Sequence, residues 1–221
     1  MATTKKVALL DVDGTLIDSN EAHALAWVDA FAQHGHEVSF AKVRELIGKG
    51  GDKLIPETIH IEKDSPEGRA IAKQRSAIFA KTYLPQLRAF PEARELLRAL
   101  AAAGLELVIA TSAQADELTA LLKQAGLDDL IQAAATSSDA KESKPDPDIV
   151  IAALRAARCR PAEAVMLGDT PYDVEASIKA GVQVVGLRCG GWKDEDLAGA
   201  TAIYDDVRDL RRHLAGSPFL V

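Results

Sequence analysis

Asp11 and Asp13 flank Val12 in the run VALLDVDGT, where the apolar stretch Val7 to Leu10 gives way to turn-forming residues. If the two-residue period of a strand persists, both carboxylates face one side, where like charges need a cation, a proton or solvent to coexist. Gly14 then permits a tight turn and a close approach of the backbone to an anion, while Thr15 offers a hydroxyl and an N–H. The pair could therefore hold a cation beside an anion, although Asp and Gly are also ordinary turn residues.

Other apolar runs end in equally suggestive residues. Thr111-Ser112 follows Leu107 to Ala110 and places hydroxyls and N–H groups where a helix would start near Gln114, an arrangement that suits a phosphate. A plain helix cap would use Thr111 in the same place. Lys144 stands before Pro145 in SKPDPD, a stiff segment, and could neutralise both a phosphoryl group and Asp11, or simply be a solvated loop lysine. Asp169, in GDTPYD after Ala164 to Leu167, is placed to ligate a hard cation. Asp173 in the first turn of the next helix could orient water or Lys144, or merely favour the helix terminus. Together these strand ends supply a carboxylate pair, a hydroxyl, an ammonium and a further carboxylate, the parts of a phosphoryl-transfer site. Oxygen ligands without His or Cys point to Mg2+ rather than zinc.

Such residues need a scaffold that aligns strand ends. Val7 to Leu10, Leu105 to Ala110, Ala164 to Leu167 and Val182 to Leu187 read as buried strands. Helical stripes lie between them, at Ala93, Leu96, Leu97 and Leu100 closed by Gly104, and at Leu118, Leu121 and Leu122 closed by Gly126. Alternation from about residue 86 to 214 predicts an α/β fold, a Rossmann-like parallel sheet flanked by helices, with chemistry at the carboxyl ends of its strands. The tail from Ala202 to Leu214 reads as a short edge segment plus a helix.

Residues 18–85 show only helical stripes, among them Ala24, Trp27, Val28 and Phe31, so they predict an inserted all-helical cap, with 1–17 and 86–221 forming the catalytic core. The alternative is that these helices simply cover the core as part of one domain. Pro91 is expected as the first residue of the helix that re-enters the core.

The charge of 26 Lys plus Arg against 33 Asp plus Glu, or -7, argues against nucleic acid or an anionic membrane as partner but not against a small anionic substrate. Cys159 and Cys189 stand in unrelated contexts, so neither a disulfide framework nor a zinc site is expected. The run before Asp11 is too short for a signal-peptide core, and no later run reaches membrane-spanning length, so the expectation is a cytoplasmic monomer whose partner is a small phosphorylated metabolite.

DVDGT at 11–15, Thr111 within IATSAQ, Lys144 within SKPDP and GDTPYD at 168–173 resemble the signature motifs of the haloacid dehalogenase superfamily, in order and spacing, over nearly the whole chain. The insertion point resembles the branch with a helical cap after the first strand, which includes phosphoglycolate phosphatase, sugar-phosphate phosphatases and β-phosphoglucomutase. The resemblance implies that Asp11 attacks phosphorus to form an aspartyl-phosphate, and that Asp13 protonates the leaving alcohol and then deprotonates water. It implies Mg2+ held by Asp11, Asp169 and the backbone carbonyl of Asp13, supported by Asp173, with Thr111, Ser112 and Lys144 on the phosphate. Dehalogenases of the superfamily lack an equivalent of Asp13, whose presence argues for phosphoryl transfer. Phosphonoacetaldehyde hydrolases use a cap Lys that LIDSNEAHALAW does not contain.

In the cap, His23 could face the pocket, as a histidine of β-phosphoglucomutases does, or be an amphipathic-helix residue beside Trp27. The stretch IGKGGDK offers Lys49, Gly50 and Gly51 as a substrate-reading loop, or an ordinary flexible turn. Lys73 and Arg75 are weaker candidates on what reads as an exposed helix face. The expected function is a Mg2+-dependent phosphomonoester hydrolase. The alternatives are a sugar-phosphate mutase, in which the cap excludes water, and a non-catalytic metabolite-binding protein. Arg188 to Trp192 could skirt the site or be an exposed loop.

Overall fold

Val7–Leu10 forms β1, every residue of it buried, with β2 (Glu106–Ala110) on one side and β4 (Ala164–Gly168) on the other. The computed structural model describes residues 4–221, so the first three positions of the expected 1–17 segment lie outside the described residues. In chain order the elements are β1, α1 (Asn20–Gln33), α2 (Phe40–Leu46), α3 (Gly51–Ile59), α4 (Pro66–Ile78), α5 (Ala93–Ala102) and β2. Then come α6 (Ala115–Ala125), β3 (Ala133–Ala135), α7 (Asp148–Ala156), β4, α8 (Pro171–Lys179), β5 (Gln183–Leu187), β6 (Ala202–Tyr204) and α9 (Val207–Arg212).

The sheet order is β3-β2-β1-β4-β5-β6 and every pairing is parallel. Strands buried on both faces are nearly all apolar, which is why β1, β2 and β4 show as continuous runs rather than alternations. Leu10 pairs with Ile109 and with Leu167, so Asp11, Thr111 and Asp169 emerge almost level at one end of the sheet. The chain moves outward from β1 in one direction through β2 and β3 and in the other through β4, and the crevice at that reversal is where such sheets bind ligands.

One face of the sheet packs Leu10 of β1 with Leu96, Leu100, Leu121 and Leu210 from α5, α6 and α9; the other packs Leu9, Val108 and Met166 with Ile149 of α7 and Val174 of α8. The segment between β1 and α5 is helical, and α1 to α4 share their own apolar cluster of Trp27, Phe31, Val43, Leu54, Ile55 and Ile71. Helix α1 serves both sides: Ala22 and Ala26 face the core cluster while Ala24 and Trp27 face the cap cluster. No helix among the described residues is long and apolar enough to cross a membrane.

Two details differ from expectation. Pro91 sits in the turn before α5, which starts at Ala93 after Glu92 takes a left-handed conformation at φ 69°. Strand β3 is Ala-Ala-Ala, too short and too low in strand propensity to be read from sequence; its pairing with β2 is what makes it a strand.

Candidate active site

The turn after β1 is built on Gly14, whose φ is +77° and where a Cβ would stand 2.0 Å from Asn20 Nδ2 and 2.3 Å from Asp169 Oδ2. Only glycine lets the backbone pass that close to a second strand end. Asp11, buried at this end of β1 but 7% exposed, receives the Lys144 ammonium at 2.6 Å on Oδ1, and its Oδ2 lies 3.2 Å from the Thr15 hydroxyl. The same ammonium lies 2.6 Å from Asp173 Oδ1, so the sequence alternative of a solvated loop lysine is wrong: Lys144 is 1% exposed. Asp173 in turn caps α8, its Oδ2 accepting from Thr170 N at 3.0 Å and Thr170 Oγ1 at 2.6 Å.

Asp169 accepts from Thr15 Oγ1 and from Asn20 Nδ2, each at 2.9 Å. Asp11, Asp169 and Asp173 offer carboxylate oxygens within 4.8 Å of one another, all buried, with Lys144 as the ammonium among them. The cluster is short of positive charge. Burial, with the neighbouring carboxylates, raises Asp11 well above the usual carboxylate range against the pull of Lys144. Asp169 is pushed up to about 7 by burial and by Asp173, against the hydrogen bonds from Asn20 and Thr15. A hard divalent cation would relieve this excess, and an all-oxygen donor set at buried strand ends fits Mg2+. All three carboxylates belong to the cluster that could hold the ion, and Asp11 and Asp169 are the two that the resemblance assigns to it, with Asp173 in support.

Asp13 turns the other way, toward the cap. Its Oδ1 accepts from Ser19 Oγ at 2.5 Å and from His23 Nε2 at 2.7 Å. Its Oδ2 has no protein donor among the described residues, and the side chain lines the central cavity. Burial would raise its pKa, but His23, Ser19 and Arg75 together hold it below the ordinary value. A guanidinium only donates, so the contact of Arg75 Nη2 with His23 Nδ1 makes that nitrogen the acceptor and puts the imidazole proton on Nε2, aimed at Asp13. His23 is 4% exposed and stacks on Phe79 with ring centroids 4.1 Å apart. Asp13 offers the cation cluster no carboxylate; its backbone carbonyl is the part the resemblance assigns to that task.

A cavity of about 580 Å³ opens over Asp11 and Asp13. On the core side it is lined by Thr111, Ser112 and Gln114; on the cap side by His23, Lys49, Gly50 and Gly51. Thr111 Oγ1 accepts from Ala113 N at 3.1 Å in the turn into α6, and Ser112 Oγ donates to Gly48 O at 3.4 Å across the cap boundary. Lys49 lines the cavity but its ammonium already pairs with Glu57 at 2.6 Å and lies 4.8 Å from the Tyr172 ring centroid.

Several site residues were not legible. Arg75, read as exposed, is 9% exposed and bridges His23 to Glu117 of α6. Asn20 had no spacing signal, since its value comes from touching Asp169 across the fold. The segment after β5 does skirt the site: Gly190 O accepts from Arg44 Nη2 and from Asn20 Nδ2, closing the floor behind Asp169.

A parallel α/β sheet that gathers carboxylates, hydroxyls and a buried lysine at its strand ends beneath a helical cap defines a class of hydrolase. Residues 8–187 match the haloacid dehalogenase-like hydrolase family, and the chain belongs to it. It is 29% identical over 209 residues to the validoxylamine A 7'-phosphate phosphatase of Streptomyces hygroscopicus subsp. limoneus, covering 93% of this chain and 96% of that protein. With a phosphoglycolate phosphatase of Rhodospirillum rubrum it shares 31% identity over 216 residues, 93% of this chain and 89% of the relative. The crystal structure of a hydrolase from Pseudomonas syringae superposes with a TM-score of 0.88 at 29% identity, covering 96% of this chain and 99% of the other.

Proposed function

We propose that the chain is a Mg2+-dependent phosphatase that hydrolyses small phosphorylated metabolites through an aspartyl-phosphate on Asp11. The observation that carries this reading is the enclosed Asp11 carboxylate, held by Lys144 and Thr15 at the base of a cavity into which Asp13 presents a free oxygen. Asp11 would attack phosphorus as the ester P–O bond breaks, and Asp13, which the negative charge of a bound phosphate would favour in its protonated form against the pull of His23 and Arg75, would give that proton to the departing alcohol. Asp13 would then take a proton from water as that water attacks the acyl phosphate and restores Asp11. Lys144 and the turn from Thr111 to Gln114 would hold the phosphoryl oxygens in place through both halves. Bound at Asp11 and Asp169, Mg2+ would supply charge neutralisation at the transferring group.

Residues 18–85 would act as a cap over a core made of 1–17 and 86–221, with His23, Lys49, Gly50 and Gly51 on the substrate side. Similarity to a validoxylamine A 7'-phosphate phosphatase and to a phosphoglycolate phosphatase supports a small phosphorylated metabolite as substrate. The free thiols Cys159 and Cys189 fit a reducing cytoplasm.

The test is phosphate release from phosphoglycolate, hexose, pentose and glycerol phosphates and nucleotides in MgCl2, with sugar products checked for isomerisation. Wild-type turnover that disappears in Asp11→Asn supports the assignment. No phosphate from any of these, or near-normal turnover by Asp11→Asn, would refute it.

A further inference from the structure

The cap does more than cover the cavity: it grips the short segment that carries Lys144 from both sides. Immediately before the lysine, Ser143 N donates to Asp52 Oδ2 at 3.1 Å, and Ser143 Oγ accepts from Gly50 N at 2.9 Å. Around those bonds, Lys53 Nζ reaches Glu142 Oε2 at 3.1 Å and Asp146 Oδ2 at 2.6 Å. Gly50, Asp52 and Lys53 all belong to the start of α3 or its cap position, so one rigid helical turn holds residues on both flanks of Lys144. The approach leaves no slack, since a Cβ on Gly50 would stand 2.7 Å from Ser143 Cβ. From the core side this segment has Lys179, whose ammonium lies 3.1 Å from Pro145 O and 3.8 Å from Asp146 Oδ1.

We infer that Asp52 and Lys53 are positioning residues for Lys144, so that seating the cap on the core also fixes the ammonium against Asp11. This inference rests on the phosphatase reading of Asp11 and Lys144. The chemistry follows from the location of the charge. Lys144 must stand within contact of both Asp11 and the incoming phosphoryl oxygens, and a shift of the segment by a fraction of an ångström would loosen both contacts. An open cap would release the bonds to Ser143 and the Lys53 ion pairs together. Full neutralisation of the transferring group would then be reached only when the cavity is closed over substrate.

Asp52 also lines the cavity, so a direct role in reading substrate must be separated from positioning. Orthovanadate does this, because it occupies only the transfer site and has no distal group for Asp52 to touch. Asp52→Ala, Asp52→Asn and Lys53→Met are compared with wild type in MgCl2 for kcat and KM on p-nitrophenyl phosphate, for orthovanadate binding by calorimetry, and for thermal midpoint. Asp52→Ala is expected to lower kcat about 10-fold with KM changed by less than about 3-fold, the scale of one lost hydrogen bond. It is also expected to weaken orthovanadate several-fold. Asp52→Asn keeps an acceptor for Ser143 N and is expected to recover most of both losses, while Lys53→Met gives a smaller loss of the same kind.

Unchanged orthovanadate affinity in Asp52→Ala and Lys53→Met would overturn the inference, as would equal losses in Asp52→Ala and Asp52→Asn. If Asp52→Ala does not fold, Lys53→Met decides through the same readouts. Absence of turnover by wild type on every phosphomonoester would instead count against the phosphatase reading, and the calorimetric comparison would still test the positioning.

Discussion

Arg75 of α4 donates through one guanidinium nitrogen to His23 Nδ1 and through another to Glu117 Oε2 of α6 at 2.5 Å, tying the cap to Asp13 through His23 and directly to the core. The guanidinium also lies over the rings of Trp27 and Phe79, 5.4 and 4.9 Å from their centroids, so its position is fixed by packing as well as by charge.

Replacing Arg75 by Met is expected to free His23 to change tautomer and to weaken its bond to Asp13. Arg75 is also among the groups that hold Asp13 below its ordinary pKa, so its loss moves that pKa upward. The form of Asp13 that accepts a proton from water in the second half is then lost at a higher pH than in wild type, and where that half limits turnover the acidic limb of the kcat profile moves to higher pH. A drop of about 10- to 100-fold in kcat should accompany it, smaller than the roughly 10²- to 10⁴-fold of losing a general acid–base group outright, because Asp13 itself remains. A pH–rate profile with an unmoved acidic limb would show that Arg75 does not act through Asp13.

Asp169 gives a stability test that needs no turnover. Its folded-state pKa is raised to about 7 from an ordinary value of 3.8, so between those values the metal-free native state binds more protons than the unfolded chain. This group therefore makes the metal-free protein less stable as pH rises through that window, and the penalty is complete above pH 7. Asp169→Asn removes the penalty. Thermal denaturation in EDTA should show the variant gaining on wild type between pH 5 and pH 8, whereas MgCl2 should raise the midpoint of wild type far more than that of the variant. A parallel pH dependence for the two proteins would remove the charge-shortage argument for the cation site.

What could be read from sequence was whatever depended on strand ends. Asp11, Thr111 and Asp169 follow apolar runs, and a parallel sheet brings such ends together whatever the loops do. Lys144 was recognisable by its motif, but its burial was not, because that comes from Asp173 reaching back from α8. Asn20 left no trace in spacing, Arg75 was only a weaker candidate on a helix face read as exposed, and Gly190 lay in a segment read either as skirting the site or as an exposed loop. Each acts through contacts between elements far apart in the chain, and a basic residue on a helix looks alike whether it faces water or a buried histidine. Strand β3 was hidden for the opposite reason: three alanines become a strand only by pairing with β2.

Cap specificity is expected to run through Lys49 and its unpaired neighbours. Lys63 and Lys73 line the same cavity and form no ion pair among the described residues, whereas Lys49 is shared with Glu57. A substrate with a carboxylate or second phosphate would compete for these ammonium groups. Lys49→Ala should change the kcat/KM ratio of phosphoglycolate to glycerol 3-phosphate by about 3- to 10-fold, the effect of an exposed or partly buried charge contact. Turnover of p-nitrophenyl phosphate should stay within about 2-fold of wild type. An unchanged ratio would remove Lys49 from the specificity determinants.

Gly190 offers the sharpest steric test of the site. A methyl at this position would stand 1.8 Å from Asp169 Oδ2 and 2.5 Å from its Cβ. Asp169 cannot swing aside without giving up Thr15 and Asn20, and the loop cannot withdraw without straining the bonds that Arg44 and Asn20 make to Gly190 O. Gly190→Ala should therefore displace the carboxylate and lower kcat by about 100-fold or more, because errors near 1 Å in a catalytic group have effects of that size. It should also cost about 1–3 kcal/mol in stability through overpacking. Gly104→Ala is the control: φ there is +88° but nothing lies within 4 Å of the added carbon. That substitution should destabilise by about 1–2 kcal/mol through backbone strain alone and leave kcat intact. Equal stability losses with unequal activity losses would locate the effect of Gly190 at Asp169, whereas wild-type kcat in Gly190→Ala would mean that Asp169 tolerates displacement and does not anchor the chemistry.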